Sequence, residues 1–329
     1  MVTKYLLLLA AALVPGACRG GEIAPGPATA LGASFAGSER GPVVPLDSAA
    51  IATAMGRPGA FQPGGVLRFN FPRGDLTVTV DGIQLKPALA LGSYVVFKGT
   101  RSGAMAMGDL VLKESEIAPV MTKLEEGGID VTALHHHVLR QTPPIYYMHF
   151  HGEGAAVTVA RAMLAAISLT STPAPSPAAP PTLALDTAGI AQALGQSGRL
   201  NGSVYQVSVA RLETITDGGV VIPPAMGVAT VINFQPTSGG SAAIAGDFVL
   251  VAREVNPVIR ALRGHGIEVT AVHNHMLHDE PRLFFMHFWA VADAVRLAQG
   301  LRSGLDATER SGRRHEPEDE REKEDEREK

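Results

Sequence analysis

Two histidines one residue apart, His135 and His137, are followed downstream by a third, His149. The same pattern returns as His273, His275 and His287. Neutral imidazole nitrogen binds Zn, Cu, Fe or Ni well. An H-x-H pair on a strand turns both rings to one face, because successive strand side chains alternate. A hairpin of Val131 to Val138 with Ile145 to His151, turning at RQTPP, puts His135 opposite His149 and His137 opposite Tyr147. Opposed residues have Cβ atoms about 4.5–5.5 Å apart. Three imidazoles then converge on one patch, and the same register sets His273 opposite His287. A three-ligand site leaves a position for water or substrate, as catalytic zinc sites do. Zinc is therefore the expected divalent ion.

Carboxylates at matching positions, Asp109 with Asp247 and Glu116 with Glu254, are candidate bases or outer partners of such a site. Three readings stay open at this point. The clusters bind a transition metal, they form a pocket for a small polar ligand, or they are structural and bond to backbone carbonyls. With a metal, the enzyme alternative is a hydrolase whose metal-bound water has its pKa lowered to about 7. The third reading leaves a structural envelope module without ligand. His136, His151, His265 and His278 match no histidine in the other cluster and are expected to play local roles. Met148 and Met286 fall on the face opposite His149 and His287, where core packing is expected. Trp289, Phe284 and Phe285 are expected as core aromatics, with a ligand-pocket wall as the alternative.

Several function classes lack their signatures. The chain has no G-x-S-x-G, no G-x-x-x-x-G-K, no G-x-G-x-x-G and no H-E-x-x-H. These absences disfavour P-loop phosphoryl transfer and nicotinamide chemistry on a dinucleotide fold. The net charge is −4, and the stretch from Ser311 to Lys329 alone holds nine acids against six bases. The remainder is near neutral and shows no basic stripe, so nucleic acid is not an expected partner.

The elements that must position these residues are written twice. GDLVLKESEIAPVMTKLEEGGIDVTALHHHVLRQTPPIYYMHF, from Gly108, aligns without a gap on GDFVLVAREVNPVIRALRGHGIEVTAVHNHMLHDEPRLFFMHF, from Gly246. Twenty of these 43 positions are identical. IATAMGRPG at Ile51 likewise matches IAQALGQSG at Ile190. Ile117, Val120, Met121 and Leu124 have helical spacing, ended by Gly127 and Gly128. In the second copy Asn256-Pro257 predicts a cap with proline at the first helical position. SYVVFKG with AMAMGDLVL, and VATVINFQP with AAIAGDFVL, predict hairpins. Ala155 to Ile167 and Ala294 to Leu305 are helical. The expected fold is α+β: two homologous domains, each a mainly antiparallel sheet with helices packed on one face.

The expected boundaries are a leader and N-terminal stretch over 1–46, a first repeat over 47–170, a proline-rich linker over 171–182, a second repeat over 183–308 and a charged tail over 309–329. Lys4 precedes YLLLLAAALV, a short apolar run followed by small residues, as in a secretory signal. The run is too short to span a membrane, which takes about 20 residues. Cys18, the single cysteine, sits where a lipoprotein carries its acyl chain, although Pro15 departs from the usual aliphatic residue. Cleavage after Ala30 is the alternative. The expected partner is then a membrane reached by a lipid anchor, and the expected location is the bacterial cell envelope or the medium.

GIEVTAVHNHMLHDEPRLFFMHFW, preceded by GVATVINFQPTSGG, resembles the LppY/LpqO-type bacterial lipoprotein family. Copy one is similar through MGDLVL and IDVTALHHHVL. The resemblance spans about Asp47 to Leu305 and implies export, often with lipidation. It implies no activity and no catalytic residues.

Overall fold

Strands in both copies are apolar on both faces, so each sheet has to be covered twice. Helices cover one face, and the other copy covers the second. The structure, a computed structural model, describes residues 43–175 and 183–308. The leader, Cys18, linker residues 176–182 and the charged tail lie outside the described residues.

Copy one runs α1 (Ser48–Met55), β1 (Ala60–Gln62), β2 (Val66–Pro72), β3 (Thr79–Val80), β4 (Ile83–Gln84), α2 (Pro87–Ala90), β5 (Gly92–Gly99), β6 (Ala104–Lys113), α3 (Glu114–Glu126), β7 (Ile129–His135), β8 (Ile145–Gly154) and α4 (Ala156–Ile167). Copy two repeats it as α5 (Thr187–Leu194), β9 (Arg199–Asn201), β10 (Val204–Ala210), β11 (Thr216–Asp217), β12 (Val220–Val221), β13 (Ala229–Pro236), β14 (Ser241–Val251), α6 (Ala252–Gly264), β15 (Glu268–His273), β16 (Asp279–Glu280), β17 (Leu283–Asp293) and α7 (Ala294–Asp306). Each copy forms a six-stranded antiparallel sheet, ordered β1-β2-β5-β6-β8-β7 and β9-β10-β13-β14-β17-β15. Two similar α+β domains of mainly antiparallel sheet are thus present, as the sequence predicts.

The alternation of side chains sorts the core into layers. On β6, Ala104, Ala106, Leu110 and Leu112 pack under the helices of copy one. Met105, Met107 and Val111 point the other way, into clusters shared with copy two. On β17, Met286, Phe288 and Ala290 face their own helices, while Leu283, Phe285 and Trp289 face copy one. The sheets are therefore stacked face to face, with helices outside. Burying one Val, Leu, Ile, Phe or Met side chain contributes about 1.5–3 kcal/mol. Separating the copies would expose two clusters of such residues.

Each copy begins with the same capping device. Asp47 and Asp186 accept from Ala50 N and Gly189 N, and Gly56 and Gly195 close the short helices in the left-handed region at φ 63° and 65°. The cap at Asn256 is corrected by the structure. Helix α6 starts at Ala252, directly from β14, and Pro257 lies inside it. Glu254 Oε2 accepts from Val251 N at 2.9 Å, which starts the helix earlier, and the proline forgoes one intrahelical bond. In α3, Glu116 accepts from Lys113 N in the same way.

Candidate metal centre between the copies

The hairpin register differs from the simple pairing. Val131 faces Phe150 but Ala133 faces His149, so Thr132 is an extra residue, a β-bulge. Between this bulge and the turn, His135 lies opposite Tyr147, not His149. In copy two the bulge is at Thr270, and His273 lies opposite Phe285, not His287. A slip of two residues keeps the face, whereas a slip of one would have turned every ring away. His137 and His275 lie just beyond the strand ends, with their rings stacked on Tyr147 at 3.3 Å and on Phe285 at 3.4 Å. The bulges also tie the copies together. Thr132 Oγ1 donates to His275 O, and Thr270 Oγ1 to His137 O.

Sheet stacking brings the two trios into one cluster. His135 and His273 meet with ring centroids 3.6 Å apart. His137 meets His287 at 3.9 Å, and His149 meets His275 at 3.8 Å. These contacts obey an approximate twofold relation between the copies. Among the described residues, three sets of nitrogens lie within 4.8 Å of one another: His135, His137 and His149; His135, His273 and His287; and His149, His273 and His275. Two of the three sets mix copies.

Outer hydrogen bonds fix the rings. His149 Nδ1 donates to Gly108 O at 3.1 Å, and His287 Nδ1 donates to Gly246 O at 2.8 Å. His135 Nδ1 donates to His136 O at 3.1 Å. This is the way metal-bound imidazoles are commonly oriented. Burial lowers the pKa of all six histidines, so they stand neutral, the form that binds metal. A neutral imidazole carries one N–H. In His135 and His149 that proton is committed at Nδ1. Their two Nε2 atoms, both bare lone pairs, nevertheless stand only 3.0 Å apart. His137 Nε2, His275 Nε2, His287 Nε2 and both ring nitrogens of His273 are buried without a hydrogen-bond partner.

Asp109 and Asp247 flank the cluster on the adjacent strands, opposite His149 and His287. Each stands 3.3 Å from an imidazole of its own copy, Asp109 from His137 and Asp247 from His275. Burial pushes both carboxyls up, Asp247 to about 6. Glu116 and Glu254, expected as further bases, take another role. They bind Arg73 at 2.8 Å and Arg211 at 2.7 Å, and these arginines also grip Asp75 and Glu213. Each Arg–Glu pair anchors the start of a helix on the outer layer, so these glutamates are removed from the site.

The remaining singled-out residues sort as follows. Met148 and Met286 are core residues under the helices. His136 bonds locally to Ile145 O, and His265 to Ser303. His151 is not local. Its Nδ1 lies 3.0 Å from Asp217 of copy two. Trp289 makes the counterpart bond to Asp81 of copy one, at 3.0 Å. Sequence reasoning set His137 against Tyr147 and singled out Phe285, but missed that each carries a stacked imidazole, and it missed the bulge threonines and the carbonyl acceptors of Gly108 and Gly246. The duplication did mark both glycines. A Cβ at either would collide with a carbonyl oxygen, of Tyr94 or Val231.

Comparison with known proteins adds little to the chemistry. No curated protein matches the chain. Among solved structures, it is similar to the trimeric bacterial microcompartment shell protein PduB, at 11% identity and a TM-score of 0.19, covering 75% of this chain and 89% of that one. It is also similar to EtuB from Clostridium kluyveri, at 8% identity and a TM-score of 0.17, covering 75% and 90%. Likenesses at these TM-scores carry no argument about fold, location or function. A family match covers most of the chain, in two segments that each hold one histidine trio. The chain belongs to the family described as Domain of Unknown Function (DUF1259), with the domain present twice, at residues 49–169 and 188–307.

Proposed function

We propose that the protein binds a divalent transition-metal ion, zinc foremost, at the single cluster its two copies build together. The observation that carries this reading is the approach of His135 Nε2 and His149 Nε2 to 3.0 Å while both protons are committed to carbonyls. Two facing lone pairs repel unless a cation lies between them. The buried, unpartnered nitrogens of His273, His275 and His287 support the same reading, since orphaned buried polar atoms are costly. The ring contacts of 3.6–3.9 Å leave no space for an organic ligand among the imidazoles, which favours an ion over a polar pocket. The leader and Cys18 carry the companion proposal that the site works in the cell envelope, held there by a lipid anchor.

The test is metal content of protein purified without a histidine tag, followed by calorimetric titration of the chelator-stripped protein with zinc. Stoichiometric binding in the wild type and its loss in the His273→Ala/His275→Ala double variant are expected. Absence of metal, with an isotherm unchanged by the double substitution, overturns the proposal.

A further inference from the structure

Buried acids in this protein carry a countercharge beside them, with one exception. Among the described residues the buried acids are Asp109, Glu116, Asp217, Glu254 and Asp279. Glu116, Glu254 and Asp279 each meet an arginine, Arg73 at 2.8 Å, Arg211 at 2.7 Å and Arg282 at 2.7 Å. Asp217 accepts from His278 N at 3.2 Å and lies 3.0 Å from His151 Nδ1. The other nitrogen of His151 faces Glu153 at 3.1 Å. Two carboxylate acceptors call for two N–H groups, which only the cationic imidazole carries.

Asp109 is the exception. Its Oδ1 is buried without a hydrogen-bond partner. The group at ion-pair distance is His137, at 3.3 Å, which burial holds neutral. Arg68 lays its guanidinium over the Tyr94 ring at 3.9 Å and donates to Asn70 instead. Asp247, at the matching position, repeats the arrangement. Its Oδ1 also lacks a partner, and it faces the neutral imidazoles of His275 at 3.3 Å and His287 at 3.9 Å. Buried charges are paired or coordinate metals. Six neutral imidazoles discriminate ions by ligand preference and leave their charge unread. One divalent ion among them matches the two aspartates charge for charge.

We infer, resting on the metal-binding reading above, that Asp109 and Asp247 are the specificity-determining residues of the site: together they select a divalent ion against a monovalent ion that also binds imidazole. The attraction between a carboxylate and an ion scales with the product of their charges. Each aspartate therefore favours a dication twice as strongly as a monocation in the same place. A purely structural role gives no such ratio, because it weakens both ions alike.

The experiment compares zinc with silver(I), by calorimetric titration of untagged, chelator-stripped protein at pH 8 in chloride-free buffer. A Cys18→Ser background keeps the one thiol from capturing silver. Outer partners of a metal site are typically worth about 10–100-fold in affinity each. Asp109→Asn/Asp247→Asn is therefore expected to lose about 100–10,000-fold for zinc and only the square root of that, about 10–100-fold, for silver(I). In chelator the variant is expected to melt no lower than the parent, since the empty site gives the carboxylates no countercharge. Equal losses for the two ions, an unchanged zinc affinity, or a lower melting temperature in chelator overturns the inference and leaves metal binding intact. A parent protein that binds no zinc overturns both this inference and the function on which it rests.

Discussion

Removing the metal is expected to loosen the whole two-copy body, and the size of the effect can be worked out. An ion that binds only the native state stabilises it by RT ln(1 + [M]/Kd), about 4 kcal/mol at a free concentration one thousand times Kd. Two of the three imidazole sets draw on both copies, and Thr132 and Thr270 cross the interface beside them. Unfolding either copy therefore destroys the site, and the full linkage energy falls on a single transition. In a domain of 150–250 residues, 1 kcal/mol moves Tm by about 2–4 °C. Zinc-loaded and chelated protein are then expected to differ by about 8–16 °C in differential scanning calorimetry. The double variant His273→Ala/His275→Ala should melt at one temperature in zinc and in chelator. An equal zinc shift in that variant, or a wild type with two transitions of which only one responds, would refute the reasoning.

Other perturbations test the supports of the site. Arg73→Met leaves buried Glu116 with Lys113 as its ionic partner and is expected to cost about 3 kcal/mol in denaturant melts, the low end for a broken buried pair, with part of it recovered in Arg73→Met/Glu116→Leu. Burial raises the pKa values of Glu116, Asp75 and Glu213, but the arginine hydrogen bonds and charges outweigh it and hold them below the usual range. Their contribution is present above the unfolded-state pKa and is lost as pH falls through the folded-state value. Stability should therefore drop below about pH 4, and less steeply in the Arg73→Met protein; identical acid profiles would contradict this. Gly246→Ala drives a methyl against Val231 O, with an expected cost of about 1–3 kcal/mol. Because Gly246 O orients His287, zinc affinity should fall as well, measured by competition with a chelating dye. Cys18→Ser should move the protein from the membrane pellet to the soluble extract of fractionated cells, and an unchanged distribution would remove the lipid anchor.

Much of the molecule is legible in the residues because local rules decide it. The duplication, the paired hairpins and the outer helices follow from self-similarity, period-two alternation and the caps at Asp47 and Asp186. The face shared by His135, His137 and His149 was legible as well, since parity survives a two-residue slip. The register itself was not, because the loops that join the paired strands are held by distant residues, Thr142 by Thr79 and Glu280 by Thr216. The helix start at Ala252 was misplaced for a similar reason. A long-range ion pair, Glu254 with Arg211, sits on the residue that caps it, and proximity in sequence does not show that pairing.

By itself the sequence determined that there are two imidazole trios, each on one face of a strand pair, each with an aspartate at a matching position. Only the tertiary structure decided that the trios meet. Both faces of each sheet are apolar, so the inner faces must bury each other, and that burial presses His135 onto His273. One buried cluster of six imidazoles and two carboxylates is the product of that packing, because no local rule fixes how two separately folded sheets are laid together.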